Sequence, residues 1–192
     1  MMERLDAFRT IADQRTDEIV IMTMTATLQW PLISDHKLDF DFLAFGMGHA
    51  SDFGLGLALA RPERKIIVLK GDGGLLMSLG SLVTLGEYAP GNLIVFLLEN
   101  RTYEMVGGQK FAPSVDFMKL AEGAGIGNGG ATKTGKLEHI ETLQELGVAI
   151  PRILTEQGPH FIVLPVSNAE PLPPVNHSDH ASRVTRIRQA LS

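Results

Sequence analysis

Apolar residues recur along this chain in two rhythms. In "RLDAFRTIADQ", Leu5, Phe8 and Ile11 fall three apart, the spacing of one face of a helix. "KIIVLK", "NLIVFLL" and "HFIVLPV" are short unbroken apolar runs, the pattern of strands covered on both faces. "EIVIMTMTA" reads as a further strand. Helical patterns return in "HASDFGLGLALA", ended by Arg61-Pro62, and in "LLMSLGSLVTLGEY", "FMKLAEGAG", "KLEHIETLQELG" and "SRVTRIRQAL". Strands alternating with helices predict an α/β fold, a three-layer sandwich around a mainly parallel sheet. The pattern predicts a single domain over residues 1–192, with the proline-rich "AEPLPPVNHSD" as an extended connector inside it.

Two polar residues interrupt the apolar rhythm where strands run out. Asp72 sits between glycines after "KIIVLK", and Asn100 closes "NLIVFLLE". Open α/β sheets place ligand chemistry at such strand ends. Composition narrows the ligand. A formal net charge of -5 argues against nucleic acid or an anionic membrane surface as partner. The chain has no cysteine, which removes disulfides, zinc–thiolate sites and cysteine-held iron–sulfur clusters. The start "MMERLDAFRTIADQ" lacks the apolar core of a signal peptide. No apolar run approaches the roughly 20 residues of a membrane span. The expected location is the cytoplasm.

The chemistry of the "GDGG" turn points to an anion held through a cation. Gly71 and Gly73 let the backbone approach a ligand with no Cβ in the way. A helix expected to open near Leu75 directs unpaired amides to the same place, which suits phosphate. Asp72 would repel phosphate unless a cation stands between them, and Mg²⁺ takes oxygen ligands from both. Asn100 offers a side-chain oxygen from the next strand end, and Thr102 a main-chain carbonyl. Each feature has a plainer reading. "GDG" alone is an ordinary turn, and "GLGLALA" copies a dinucleotide fingerprint without its spacing. "NHSDH", with His177, Asp179 and His180, reads as a solvated connector more readily than as a metal site. Gly107, Gly108 and Gln109 form either a plain loop or a mobile segment over the site.

Gly71-Asp72-Gly73, followed by 26 residues and Asn100, resembles the cofactor motif of thiamine diphosphate-dependent enzymes. The words around it, "GSLVTLGEYAPGNLI", "NRTYEMVGGQ" and "GMGHASDFGLGLALA", are similar to the β subunit of sulfopyruvate decarboxylase and the C-terminal half of phosphonopyruvate decarboxylase. The resemblance implies the diphosphate-binding domain of the thiamine diphosphate-binding fold. It implies a metal site of Asp72, Asn100 and Thr102 for Mg²⁺. Phe45, Gly46, Met47, Gly71, Asp72, Gly73, Gly74, Asn100, Thr102 and Tyr103 would bind thiamine diphosphate. Met47 matches the apolar wedge that bends the cofactor, and the Phe45 carbonyl the acceptor for its amino group. His49 becomes a candidate catalytic proton carrier, with a plain helix-start histidine as the competing reading.

The implied reaction is decarboxylation of a small 2-oxo acid to CO₂ and an aldehyde. The implied partner is an α subunit bearing the pyrimidine-type domain and the activating glutamate, in a hetero-oligomer such as α2β2 or larger. A carboligase or acyl-transferring enzyme would share the same cofactor residues, and a non-catalytic cofactor-binding subunit is a third reading. Three departures from the relatives stand out. Glu99 stands where Asn or Asp is common, Met105-Val106 replaces a Ser-Thr pair, and His49 replaces an apolar residue. Loss of the hydroxyl pair predicts a substrate less anionic at its far end than sulfopyruvate or phosphonopyruvate, because thioether and methyl groups solvate charge poorly, unless Arg101, Lys110 or a partner residue supplies the counter-charge.

Overall fold

A computed structural model describes residues 1–41, 46–111, 114–127, 135–168 and 180–191. Six strands form one parallel sheet: β1 (Ile19–Met22), β2 (Asp39–Asp41), β3 (Ile66–Gly71), β4 (Leu93–Glu99), β7 (Lys136–His139) and β8 (His160–Pro165), in the order β2-β1-β3-β4-β8-β7. Two short strands, β5 (Thr102–Tyr103) and β6 (Gln109–Lys110), form a separate antiparallel hairpin beyond the end of β4. Helices cover both faces, as strands without a polar face require.

The alternation of side chains along each strand builds two cores. Val20, Met22, Ile67, Leu69, Ile94, Phe96, Ile162 and Leu164 face one layer. That layer holds α1 (Arg4–Ala12), α2 (Thr25–Gln29) and α7 (Leu143–Thr155), with Phe8, Trp30, Ile150 and Ile153 fully buried. Ile21, Val68, Val95, Leu97 and Val163 face the other. There α3 (Ala50–Ala60), α5 (Ser81–Tyr88), α6 (Phe117–Gly123) and α8 (His180–Leu191) pack through Leu55, Leu82, Leu85, Phe117 and Ile187. Among the described residues no helix is long and apolar enough to cross a membrane.

Three expectations change in detail. The strand at "EIVIMTMTA" stops at Met22, because Met24 turns the chain at φ 53° and Thr25 opens α2. The helix at "LLMSLGSLVTLGEY" is two helices, α4 (Asp72–Met77) and α5, and α4 begins at Asp72 itself rather than near Leu75. "KLEHIETLQELG" splits into the half-exposed edge strand β7 and the start of α7, which Thr142 and Glu145 close with a reciprocal capping box. The connector "AEPLPPVNHSD", with His177 and Asp179, lies outside the described residues, as does the acceptor assigned to Phe45.

Candidate functional site

The chain leaves β1 in one direction towards β2 and returns on its other side in β3, so the sheet order reverses between β1 and β3. A cleft opens there at the carboxyl ends of the strands, where parallel sheets bind ligands. It encloses about 470 Å³, including space open to solvent, and its walls come from three strand exits. Thr23, Met24 and Thr25 follow β1; Gly71 ends β3 and Asp72 to Gly74 follow it; Asn100 and Thr102 to Val106 follow β4. Of the residues expected at a cofactor, Gly71, Asp72, Gly73, Gly74, Asn100, Thr102 and Tyr103 all line it.

Asp72 forms the floor and is 1% exposed. Its Oδ1 accepts from the Gly73 amide at 2.7 Å, and its Oδ2 from the amides of Asn100 at 2.9 Å and Arg101 at 2.7 Å. Burial pushes its pKa up to about 6, and the three amides offset only part of that. Among the described residues no cationic side chain pairs with Asp72, so the carboxylate is oriented but not neutralised. Asn100 Oδ1 accepts from the Thr102 amide at 3.1 Å, which closes a tight turn and holds the Thr102 strand against the floor. A Cβ at Gly73 would lie 2.8 Å from the Tyr103 ring and 3.6 Å from the Thr102 carbonyl, so glycine permits this close approach. Among the described residues no three acidic or histidine side chains gather as a metal site. One carboxylate, one amide oxygen and one carbonyl still suit a hard cation whose remaining ligands come from phosphate and water.

Met47 stands beside the cleft rather than among its lining residues, in a turn with φ 38°, and the residue is 44% exposed. The turn is held from below. The Met47 carbonyl accepts from Thr23 Oγ1 at 3.0 Å, and the Gly48 carbonyl from Ser78 Oγ at 2.6 Å. Ser78 Oγ in turn accepts from Lys70 Nζ at 3.1 Å, and Lys70 also donates to Ser51 Oγ at 2.7 Å. Lys70 is fully buried, and desolvation lowers its pKa to about 8. His49 precedes α3, is 65% exposed, lies outside the cleft lining, and its Nδ1 is 2.6 Å from an Asp52 carboxylate oxygen. That pairing lies within the first turn of α3.

The departures separate in space. Met105 and Val106 line the cleft, whereas Glu99 lines a neighbouring hollow with His139 and Phe117. Glu99 pairs with Arg101, whose guanidinium also donates to the Val115 carbonyl at 2.7 Å and stands over the Phe117 ring. One feature of the cleft was not visible in the residue pattern. Arg4, from α1, is buried in its wall and joined to Glu104 at 2.8 Å, and Thr25 Oγ1 donates to the same carboxylate at 2.7 Å. The 100-residue separation of Arg4 and Glu104 leaves no spacing signal in a single sequence.

The chain resembles known proteins at the level of sequence and of fold. Residues 22–164 match the family described as thiamine pyrophosphate enzyme, C-terminal TPP binding domain. The β subunit of sulfopyruvate decarboxylase from Methanothermobacter thermautotrophicus is 42% identical over 66% of this chain and 68% of that one. Phosphonopyruvate decarboxylase from Streptomyces viridochromogenes is 31% identical over 82% of this chain, which spans 38% of that protein. The crystal structure of benzoylformate decarboxylase from Polynucleobacter necessarius superposes with a TM-score of 0.71 at 20% identity, over 90% of this chain and 34% of that one. The last likeness is one of fold.

Proposed function

The chain belongs to the thiamine pyrophosphate enzyme family, as a C-terminal TPP-binding domain, and from that premise we propose that it is the diphosphate-binding subunit of a 2-oxo acid decarboxylase. The observation that carries the site assignment is Asp72: a buried carboxylate, fixed by three amides and with no cationic partner among the described residues, at the point where the strand order reverses. Such a group is poised for a divalent cation.

In this reading Asp72, the Asn100 side chain and the Thr102 carbonyl hold Mg²⁺, and Gly71, Gly73 and Gly74 keep the backbone close to the diphosphate. Met47, with Gly46 beside it, presents an unbranched, polarizable side chain as the wedge at the rim. Tyr103 closes the wall over Gly73. His49, with Nδ1 tied to Asp52 beside the cleft, is the proposed proton carrier at the rim. When bound, thiamine diphosphate supplies the electron sink for loss of CO₂. The chain's own residues anchor the diphosphate, orient it against the strand ends, and exclude water with Met105 and Val106.

The activating glutamate and the pyrimidine-type domain are proposed to come from a second chain, because the relative from Methanothermobacter thermautotrophicus is itself a subunit β. Arg101 is already engaged by Glu99, the Val115 carbonyl and Phe117, so it is not the counter-charge for a sulfonate or phosphonate at Met105-Val106. With Lys110 exposed and outside the cleft lining, the proposed substrate is a 2-oxo acid with a less anionic far end. CO₂ release from sulfopyruvate, phosphonopyruvate, pyruvate and an aromatic 2-oxo acid, assayed with Mg²⁺ and thiamine diphosphate, tests both points. Turnover is expected only when the pyrimidine-domain partner is added, with the highest specificity constant on an uncharged tail. Robust turnover by the chain alone would end the two-chain reading. A preference for sulfopyruvate or phosphonopyruvate would end the substrate reading.

A further inference from the structure

β1 and β4 are the two neighbours of β3, so their exits stand on opposite sides of the Gly71–Gly74 turn. Two strand spacings separate them, roughly 9–10 Å. A ligand standing on Asp72 lies between these walls, and its fit depends on how far apart they are held. One carboxylate ties them together. Glu104, beyond β4, accepts from Thr25 Oγ1 beyond β1 at 2.7 Å through the oxygen that also accepts from Arg4 at 2.8 Å. Its other oxygen faces the second Arg4 nitrogen at 3.4 Å. Arg4 in turn donates to Gln29 Oε1 at 3.3 Å and to the Ser167 carbonyl at 3.2 Å, and is 3% exposed.

Four segments therefore converge on a buried ion pair in the cleft wall. Buried pairs contribute little net stability against apolar replacements of similar volume, since desolvation offsets their attraction. Their best-attested use is to fix one arrangement among several. Here the arrangement fixed is the Glu104–Val106 turn, which follows directly on Thr102 and Tyr103 and carries Met105 and Val106 into the cleft. Arg4 also neutralises Glu104, which would otherwise place an uncompensated negative charge beside an anionic ligand.

We propose that the Arg4–Glu104–Thr25 bridge sets the width of the cofactor cleft, with Arg4 and Glu104 as positioning residues that hold the Thr102 carbonyl at the distance Mg²⁺ requires. This rests on the reading that the cleft holds thiamine diphosphate with Mg²⁺. Mg²⁺ demands near-octahedral oxygens at about 2.0–2.1 Å, whereas Ca²⁺ accepts longer and less regular contacts of about 2.3–2.6 Å. A loosened wall therefore reduces affinity with Mg²⁺ more than with Ca²⁺. A bridge serving stability alone would leave that preference unchanged.

The test is the Arg4→Met/Glu104→Leu double variant, which removes both charges together, alongside Thr25→Val and Glu104→Gln. Thermal melting without cofactor and calorimetric titration of thiamine diphosphate with either cation are measured on the chain assembled with its partner. The double variant is expected to melt near wild type yet bind cofactor at least tenfold more weakly with Mg²⁺, as loss of an outer-shell partner typically does. Its preference for Mg²⁺ over Ca²⁺ is expected to narrow. Thr25→Val and Glu104→Gln, which keep side-chain shape, shift the preference in the same direction, and they decide the matter if the double variant fails to fold. Wild-type affinity and cation preference in the variants that fold would overturn the proposal. Failure of the wild-type assembly to bind thiamine diphosphate with Mg²⁺ would instead overturn the cofactor reading beneath it.

Discussion

Adding one methyl group at Gly48 should move the rim of the cleft. A Cβ there would lie 2.2 Å from the Gly74 carbonyl oxygen and 2.5 Å from Ser78 Oγ. The first of these is backbone at the start of α4, so it cannot rotate aside. Relief requires the Met47–Gly48 turn to retreat by about 1 Å, the shortfall against an ordinary carbon–oxygen contact. Overpacking of this kind costs roughly 1–3 kcal/mol. The Ser78 bond to the Gly48 carbonyl, 2.6 Å long, would stretch and forfeit about 1 kcal/mol more. Gly48→Ala is thus expected to lower stability by about 2–4 kcal/mol, which calorimetric melting reads directly. A displacement of about 1 Å at a positioning element costs on the order of 10²-fold in rate, so kcat of the assembled enzyme should fall further than the melting shift explains. If Gly48→Ala melts, binds cofactor and turns over like wild type, Met47 and Gly48 do not set the geometry of the site.

Two buried basic groups make stability depend on pH with the same sign. His160 is fully buried, with Nδ1 4.0 Å from a Glu138 carboxylate oxygen, and burial lowers its pKa below the ordinary 6.5. The unfolded chain therefore takes up the proton first as pH falls below 6.5, and stability should fall with it; His160→Phe should flatten that acid limb in denaturant titrations. Lys70, lowered from 10.5 to about 8, should give stability that rises between those values by about 3 kcal/mol, and Lys70→Met should abolish the rise.

The sheet was legible because its strands are covered on both faces: "IIVLK", "LIVFLL" and "FIVLP" leave no competing period. β7 was not, because "KLEH" is a half-exposed edge strand whose polar residues fit a helix equally well. The break between α4 and α5 was hidden for a related reason. Apolar periodicity runs on through Ser78-Leu79-Gly80, and only the bonds that Ser78 makes to the Gly48 and Gly74 carbonyls mark the turn. Asp72 and Asn100 could be found because each ends an apolar run with a group that packing does not explain. Lys70 passed as a strand residue, since its partners Ser51 and Ser78 come together only in the folded chain. Arg4 and Glu104 meet through sheet order, which no single-sequence pattern encodes.

A cation on Asp72 is proposed to hold thiamine diphosphate in this cleft. Asp72→Asn isolates that role. The amide can still accept from Asn100 and Arg101, while its NH₂ faces the Gly73 amide and forfeits about 1–3 kcal/mol. Relief of the burial penalty that raises Asp72 from 3.8 to about 6 returns about 3 kcal/mol at neutral pH. The fold should therefore survive with little change in melting temperature. Calorimetric titration of thiamine diphosphate into the assembled enzyme should show tight binding for wild type only when Mg²⁺ is present. Asp72→Asn and Asn100→Ala should each weaken it by at least 10–100-fold. Near-normal affinity in both variants, or equal affinity with and without Mg²⁺ in wild type, would rule out a cation-bridged cofactor on Asp72.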